Sequence, residues 1–408
     1  MNKPALLISA LTLLSATTAH ATEKFDPSQA TEVPTKRWAK TERLDDPHPK
    51  MKQEKFIPLV AHHDPELAED FGSKTPSSRY SLLHYAKGIE EADQSKTPVL
   101  LVHGAGLTSN HCYADKPIEQ PYPGLAARLI ADKIPTFALT FSHIHGDNYL
   151  QAEQVANAIA RIRHVTGAKK VDLVAHSKGG VSTRIYVSSA GHEWMTKFRE
   201  DVRRYVMLGT PNLGIDVSFA YPNLNYWILE HKSPAPMSWL NGLYYGKRID
   251  WSDRTLYGPD SPFPGQAQLV ERWDQRYGRT TSKGQFDVDS TYDGGKGLVS
   301  HSLGIDRAIK DGGHCIARLQ KKPVHKSVEL AVLAGSHSWV MGLVGERRGP
   351  SDGLLLVESA FATEPMEKDG AKLIRKDLRR FNHLELVYHP RANDWVAETL
   401  AMPTPKED

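Results

Sequence analysis

A serine hydroxyl becomes a useful nucleophile when backbone geometry exposes it and a base can take its proton. Ser177 stands in Val171-Asp172-Leu173-Val174-Ala175-His176-Ser177-Lys178-Gly179-Gly180, where a short apolar run ends in Ala-His-Ser-Lys-Gly and a helical pattern starts at once. That order reads as strand, sharp turn and helix, with the serine at the tip of a nucleophile elbow and Ala175 in place of the usual first glycine. The positions two before and two after the serine crowd such a turn, so both must be small, and they are Ala175 and Gly179. The turn holds the serine in strained backbone and sets the Lys178 N–H at a helix start, where free N–H groups and the helix dipole favour a developing anion. The bare motif also fits an ordinary strand-to-helix turn. What decides between the two is whether the chain supplies a second anion donor, a base and an acid.

The run Pro98-Val99-Leu100-Leu101-Val102 ends in His103-Gly104-Ala105-Gly106. A strand followed by His-Gly and a small residue lets the backbone come close to a ligand, and the N–H of Ala105 is the expected second donor beside that of Lys178. The base is expected to be an imidazole, with a carboxylate fixing its tautomer. In the order Ser, Asp, His that this arrangement requires, Asp352 and His383 follow Ser177, each in a loop after a late strand. Asp293 is a rival acid, but it sits where the strand–helix rhythm is broken. His337 precedes Asp352 and breaks the order; His389, a few residues past His383, is the nearer rival base.

The elements that must position these groups alternate. Strands are expected over Pro98–Val102, Thr136–Phe141, Val171–Ala175, Tyr205–Leu208, Val328–Ala334 and Lys372–Leu378. Helices are expected at Pro123–Ala131, Gln151–Val165, after Ser177 to about Ser189, and over Ala392–Ala401. Alternation of this kind gives an α/β fold, a mostly parallel sheet with helices on both faces, and puts the site at the carboxyl ends of the strands. From about Asn212 to Lys326 the cadence stops, and Gly, Pro and aromatics such as Tyr221, Tyr226, Trp227, Trp239, Tyr244, Tyr245, Trp251 and Tyr257 crowd in. This stretch, 212–326, reads as a lid or cap insertion whose aromatics mostly build its own small core. Residues 22–97 are charged and Pro-punctuated and read as an extended surface arm with an early strand at Arg79–Tyr85. The organisation is thus a signal peptide (1–21), an arm (22–97), a catalytic domain (98–401) and a tail (402–408). His62-His63 reads as solvated, and His143, His145 and Asp147 as a polar loop rather than a metal site.

Lysine and arginine number 51 against 48 acidic residues, a net charge of +3, which points to neither nucleic acid nor a polybasic membrane surface. Lys3, the apolar run Ala5–Ala16 and Ala19-His20-Ala21 read as an export signal, so a secreted or periplasmic protein without a stable membrane anchor is expected. In an oxidising compartment Cys112 and Cys315 are expected to form a disulfide, the alternative being two buried thiols. Oligomeric state is left open.

With these residues in hand, the chain resembles the bacterial lipases of the α/β-hydrolase superfamily, especially exported true lipases. The resemblance rests on Val102-His103-Gly104, the Val171–Gly180 elbow, Gly209-Thr210-Pro211 with Gly214, Ser351-Asp352-Gly353 and Asn382-His383-Leu384. It implies Ser177 as nucleophile, Asp352 as acid, His383 as base, and Ala105 and Lys178 as oxyanion donors, acting on lipid-like esters without a cofactor. Calcium-containing members carry Asp two residues past the histidine; Glu385 stands there, which leaves a calcium site open. The Ala-His-Ser box is also similar to that of extracellular polyester depolymerases, so a polymeric ester is a second substrate class. Acyl transfer to an alcohol is a further reading, and a non-catalytic binding protein on the same scaffold is the remaining one. Lys178, where the family often has Met or Gln, would either favour anionic substrates or face solvent.

Overall fold

The computed structural model describes residues 24–56, 60–114, 122–222, 241–244, 247–250, 263–279, 287–296, 300–340 and 343–404. The export signal and Tyr226, Trp227, Trp239, Tyr245, Trp251 and Tyr257 lie outside them. In chain order the first strands are β1 (Thr31–Val33), β2 (Lys40–Asp45), β3 (Tyr80–Tyr85), β4 (Val99–Val102), β5 (Thr136–Phe141), β6 (Val171–His176) and β7 (Val202–Leu208). The insertion holds β8 (Asn241–Tyr244), β9 (Lys247–Asp250), β10 (Gly295–Lys296) and β11 (Ser300–Ser302). The chain then returns through β12 (Glu329–Gly335), a hairpin of β13 (Trp339–Val340) and β14 (Leu343–Val344), and β15 (Lys372–Arg379).

Nine of these strands form one sheet in the order β1-β2-β3-β5-β4-β6-β7-β12-β15. From β5 to β15 all neighbours run parallel, and β1, β2 and β3 add an antiparallel edge. This is the α/β-hydrolase architecture. Strands β5, β4, β6 and β12 are buried along their whole length, as fits mainly apolar strands covered on both faces. Helix α1 (Pro65–Phe71) belongs to the N-terminal segment. Helices α2 (Ser109–Cys112) and α3 (Leu125–Ala131) and the C-terminal helix Pro390–Ala401 lie against one face, meeting Val99, Leu101, Val174, Val206 and Leu333. Helices α4 (Asn148–Thr166) and α5 (Lys178–Val187) lie against the other, meeting Leu100, Val102, Leu173, Ala175 and Met207.

Helix α4 begins three residues before the expected Gln151, because the Asp147 carboxylate accepts the N–H groups of Tyr149 (2.7 Å) and Leu150 (3.4 Å) and caps it. It stops at Gly167, whose φ of 70° is left-handed.

Two expectations are corrected. Residues 24–85 are not a surface arm. They supply three strands of the sheet and buried apolar groups such as Trp38, Leu44, Leu67 and Leu83, while charged residues among them find partners inside the fold, which is why the composition reads as solvated. The Glu42 carboxylate, for instance, takes Arg161 at 2.7 Å and the Tyr85 hydroxyl at 2.8 Å. Cys112 and Cys315 are free buried thiols rather than a disulfide. Cys112 packs with Val99, Leu101 and Leu125 on one face of the sheet, and Cys315 with Tyr149, Val181 and Leu319 on the helix α4–α5 side. A disulfide needs Cβ atoms about 4 Å apart, and the sheet separates these two.

Trp38 shows how firmly the N-terminal segment is built in. It is 4% exposed, donates its indole N–H to Asn110 Oδ1 at 2.7 Å and stacks on His84 at 5.0 Å. Trp38→Ala is expected to lower the unfolding free energy by about 3–5 kcal/mol, read as a shifted urea midpoint.

Candidate active site

The carboxyl ends of β4, β6, β7 and β12 meet at one edge of the sheet, and the groups singled out in the sequence converge there. Ser177 follows β6 directly, with φ 51° and ψ −126°, a conformation that non-glycine residues rarely adopt. Its N–H donates to Leu208 O at 2.9 Å and its carbonyl accepts the Gly180 N–H at 2.9 Å, so the strained residue is fixed on both sides. The small neighbours are required. A Cβ on Gly179 would stand 2.3 Å from His103 O, and one on Gly180 would stand 2.0 Å from Thr210 Oγ1.

His383 Nε2 lies 2.9 Å from Ser177 Oγ, and His383 Nδ1 lies 2.7 Å from Asp352 Oδ2. The other carboxylate oxygen, Oδ1, accepts the N–H groups of Leu354 (3.1 Å) and Leu355 (2.8 Å), and the His383 N–H donates to Asp352 O at 2.9 Å. The carboxylate is thus held by its own turn and aimed at the imidazole. Gly335, ending β12, lets this happen: a Cβ there would stand 2.3 Å from Phe381 O and 2.8 Å from Asp352 Cβ.

The rival residues have other partners. Asp293 pairs with Arg279 at 2.7 Å, His337 lies 3.7 Å from Glu385, and His389 Nδ1 accepts the Arg391 N–H at 3.2 Å, capping the C-terminal helix. His62 is buried, with Nε2 donating to Ser142 O at 2.7 Å.

Ala105 follows β4. His103 Nδ1 lies 2.8 Å from Gly104 O, and its Nε2 accepts the Phe141 N–H at 3.2 Å, so Nδ1 carries the proton and donates. Burial pushes this imidazole down to about 3, which keeps it neutral. A trans peptide points its carbonyl and the next N–H in opposite directions. Tying down the Gly104 carbonyl therefore turns the Ala105 N–H away from His103. Among the described residues neither that N–H nor the Lys178 N–H has an acceptor.

The side chain of Lys178 neither faces solvent nor meets an incoming anion. It is buried and turned inward, with Nζ donating to Gln151 Oε1, and Gly265 of the insertion lies so close that a Cβ there would stand 2.3 Å from Lys178 Cε. Around it runs a buried polar layer. Gln151 Nε2 donates to His143 O at 2.7 Å, Asn148 Nδ2 to Gly265 O at 2.9 Å, and Gln268 Nε2 to Asp147 Oδ2 at 2.9 Å. Glu54, from the N-terminal segment, accepts the Asp147 N–H at 2.7 Å and the Ser78 hydroxyl at 2.6 Å. Burial lowers Lys178 to about 7 against the pull of Glu54 and Asp147, and burial with the Asp147 charge raises Glu54 to about 7.

Sequence reading missed Glu54, and it missed Arg348, Asp216 and Glu346. Arg348 bridges Asp216 and Glu346 and also donates to Gly278 O at 3.1 Å, which ties the insertion to the loop that carries Asp352. Glu54 and Asp216 lie far in sequence from the groups they meet, and Arg348 and Glu346 match no motif, so no sequence signal marks them.

Glu385 Oε2 accepts the Asn382 N–H at 2.7 Å, and no group of three His, Cys, Asp or Glu side chains able to hold a metal occurs among the described residues. Calcium takes about six to eight oxygens.

The buried pair sets a pH signature. Lys178 holds its proton less tightly folded (about 7) than unfolded (10.5), so its contribution to stability rises as pH climbs from about 7 to 10.5. Glu54 holds its proton more tightly folded (about 7) than unfolded (4.5), so its contribution falls as pH climbs from about 4.5 to 7. Urea unfolding at pH 5, 7 and 9.5 is expected to lose the alkaline rise in Lys178→Met and the acid-side fall in Glu54→Gln, each relative to the wild type.

Residues 96–226 match the family Lipase (class 2). Solved structures similar to this chain include the mature Bacillus licheniformis lipase BlEst2, at 15% identity, covering 78% of this chain and 98% of that one, with a TM-score of 0.44. They also include the carboxylesterase CesB of Bacillus subtilis (12% identity, 80% and 89% covered, TM-score 0.38) and a monoacylglycerol lipase of Paleococcus ferrophilus (13%, 75% and 95%, 0.37). The lipase family match spans β4, the Ser177 elbow and β7 of an α/β-hydrolase sheet, which supports reading the chain as a carboxylic ester hydrolase.

Proposed function

We propose that the protein is an exported serine hydrolase that cleaves lipid-like carboxylic esters through an acyl-enzyme. The observation that carries this reading is the unbroken path from Ser177 Oγ to His383 Nε2 (2.9 Å) and from His383 Nδ1 to Asp352 Oδ2 (2.7 Å). His383 takes the Ser177 proton as Oγ attacks the ester carbonyl carbon. The carbonyl oxygen becomes an oxyanion between the N–H groups of Ala105 and Lys178. The C–O bond to the alcohol then breaks, and the leaving oxygen takes the proton from His383. Water, deprotonated by the same imidazole, attacks the acyl-enzyme and releases the acid and free Ser177. Asp352 holds the tautomer with Nδ1–H and stabilises the imidazolium.

The family match favours lipid-like esters. Polyester cleavage and acyl transfer use the same acyl-enzyme and differ only in the acyl donor or the accepting hydroxyl. Export rests on Lys3, the Ala5–Ala16 run and Ala19-His20-Ala21.

Ser177→Ala is expected to lower kcat on p-nitrophenyl butyrate by on the order of 10⁶ and to abolish labelling by a fluorophosphonate, with the urea midpoint unchanged. Full hydrolysis in that variant would reassign the nucleophile. Asp352→Asn is expected to cost about 10⁴ in kcat, because the amide supports the wrong imidazole tautomer. Emulsified triglyceride, polyester film and an added alcohol acceptor, assayed side by side, rank the substrate classes. N-terminal sequencing of the protein released by an expressing cell is expected to begin at Thr22.

A further inference from the structure

His176, the last residue of β6, is 1% exposed and takes no part in the reaction described above. Its Nε2 lies 3.0 Å from the backbone carbonyl of His383. A carbonyl can only accept, so Nε2 carries the proton and donates. Nδ1 is then a bare lone pair, and it is buried without a hydrogen-bond partner among the described residues. It faces the oxyanion loop: a Cβ on Gly104 would stand 2.7 Å from His176 Nδ1 and 2.9 Å from Ser177 Cβ. The ring also packs against the His383 ring, with centroids 4.8 Å apart and planes at 46°. One neutral imidazole thus touches the base and the oxyanion loop, and it is joined covalently to the nucleophile.

The hydrogen bonds that hold His383 divide unevenly. Two go to Asp352, through Nδ1 and through the backbone N–H. Both tie the base to the acid loop, which begins well past the end of β12 and is not itself part of the sheet. Among the described residues, apart from the reactive contact with Ser177, the His176 donor is the hydrogen bond that links the base to the strand that carries the nucleophile. Without it, His383 and Asp352 could shift together, keeping their own bond while opening the gap to Ser177.

We propose that His176 is a positioning residue that fixes the main chain of the base relative to the nucleophile, setting the Ser177–His383 distance rather than the His383–Asp352 pair. Burial supports this by keeping the ring neutral, since its ordinary titration is pushed well down. A second cation beside the imidazolium of His383 would oppose catalysis, and the fold prevents it. The proposal rests on the serine hydrolase reading above.

The test compares two substitutions. His176→Gln places an amide N–H about as far from Cα as histidine Nε2, whereas His176→Met matches its length without a donor. On p-nitrophenyl butyrate, His176→Met is expected to lose roughly 30- to 100-fold in kcat and in the rate of fluorophosphonate labelling. KM and the midpoint of the acid limb of the pH–kcat profile are expected to stay put, because the His383–Asp352 pair survives. His176→Gln is expected to recover most of the rate. A purely structural role would instead lower both variants in step with their urea midpoints. Near-wild-type kcat in folded His176→Met, or loss in Gln equal to that in Met, overturns the proposal while Ser177→Ala still tests the underlying reading. Should the Met variant not fold, imidazole ¹H–¹⁵N spectra of the wild-type protein from pH 6 to 9 decide: His176 must stay in the Nε2–H tautomer throughout, and an Nδ1–H tautomer or a titrating ring overturns the idea.

Discussion

The backbone of Ser177 is the constraint on which the rest of the site depends. A φ of 51° with ψ of −126° costs a non-glycine residue on the order of 1–3 kcal/mol and persists only where its surroundings leave no alternative. Here the surroundings are β6 and β7 before the turn, helix α5 after it, and three glycines, Gly104, Gly179 and Gly180, that admit neighbouring atoms at distances no Cβ would tolerate. The Ser177 N–H bonded to Leu208 pins the turn to the next strand, and Gly180 pins it to the helix. Because β6 sits near the middle of the sheet, the serine emerges where the β4, β7 and β12 loops all reach it.

Behind the elbow lies an unusual medium for a nucleophile. The first residue of α5 sends an amine inward, among amides and carboxylates from α4, the insertion and the N-terminal segment. Such groups are costly to bury, and they are tolerated because their hydrogen bonds are made among themselves. The layer joins three parts of the chain that are remote in sequence: Glu54, the Asp147–Gln151 turn, and Gly265 with Gln268. It makes the packing behind Ser177 specific in a way an oily core would not. It also explains why one edge of the insertion is anchored, with Gly265 seated on Lys178 and Cys315 and Leu319 packed against α4 and α5.

The acid and base arrive differently. Asp352 sits in a loop after the β13–β14 hairpin, held by Arg348, Glu346 and Asp216 rather than by the sheet. His383 follows β15 at the sheet's outer edge. Long loops give freedom to place a carboxylate and an imidazole, and they need cross-links to remove that freedom again. The Arg348 bridge, the Asp352 turn and the His176 donor are those cross-links.

Much of this was legible in the chain itself. Unbroken apolar runs mark the central strands because a strand covered on both faces needs no polar side. The 3.6-residue period marks α4, and the strand–helix alternation forces a mostly parallel sheet with its loops at one edge. Small residues flanking Ser177, and the order Ser, Asp, His, single out the groups that now lie within hydrogen-bond reach. The N-terminal segment misled because charged side chains that pair inside the fold, as Glu42 does with Arg161, have the same composition as a solvated arm. The cysteines misled because pairing depends on which face of a sheet each side chain joins. The inward turn of Lys178, the reach of Glu54 and the grip of His176 on the base were decided by tertiary structure. Each is a meeting of residues scores of positions apart, and local pattern carries no record of who becomes whose neighbour when the sheet closes.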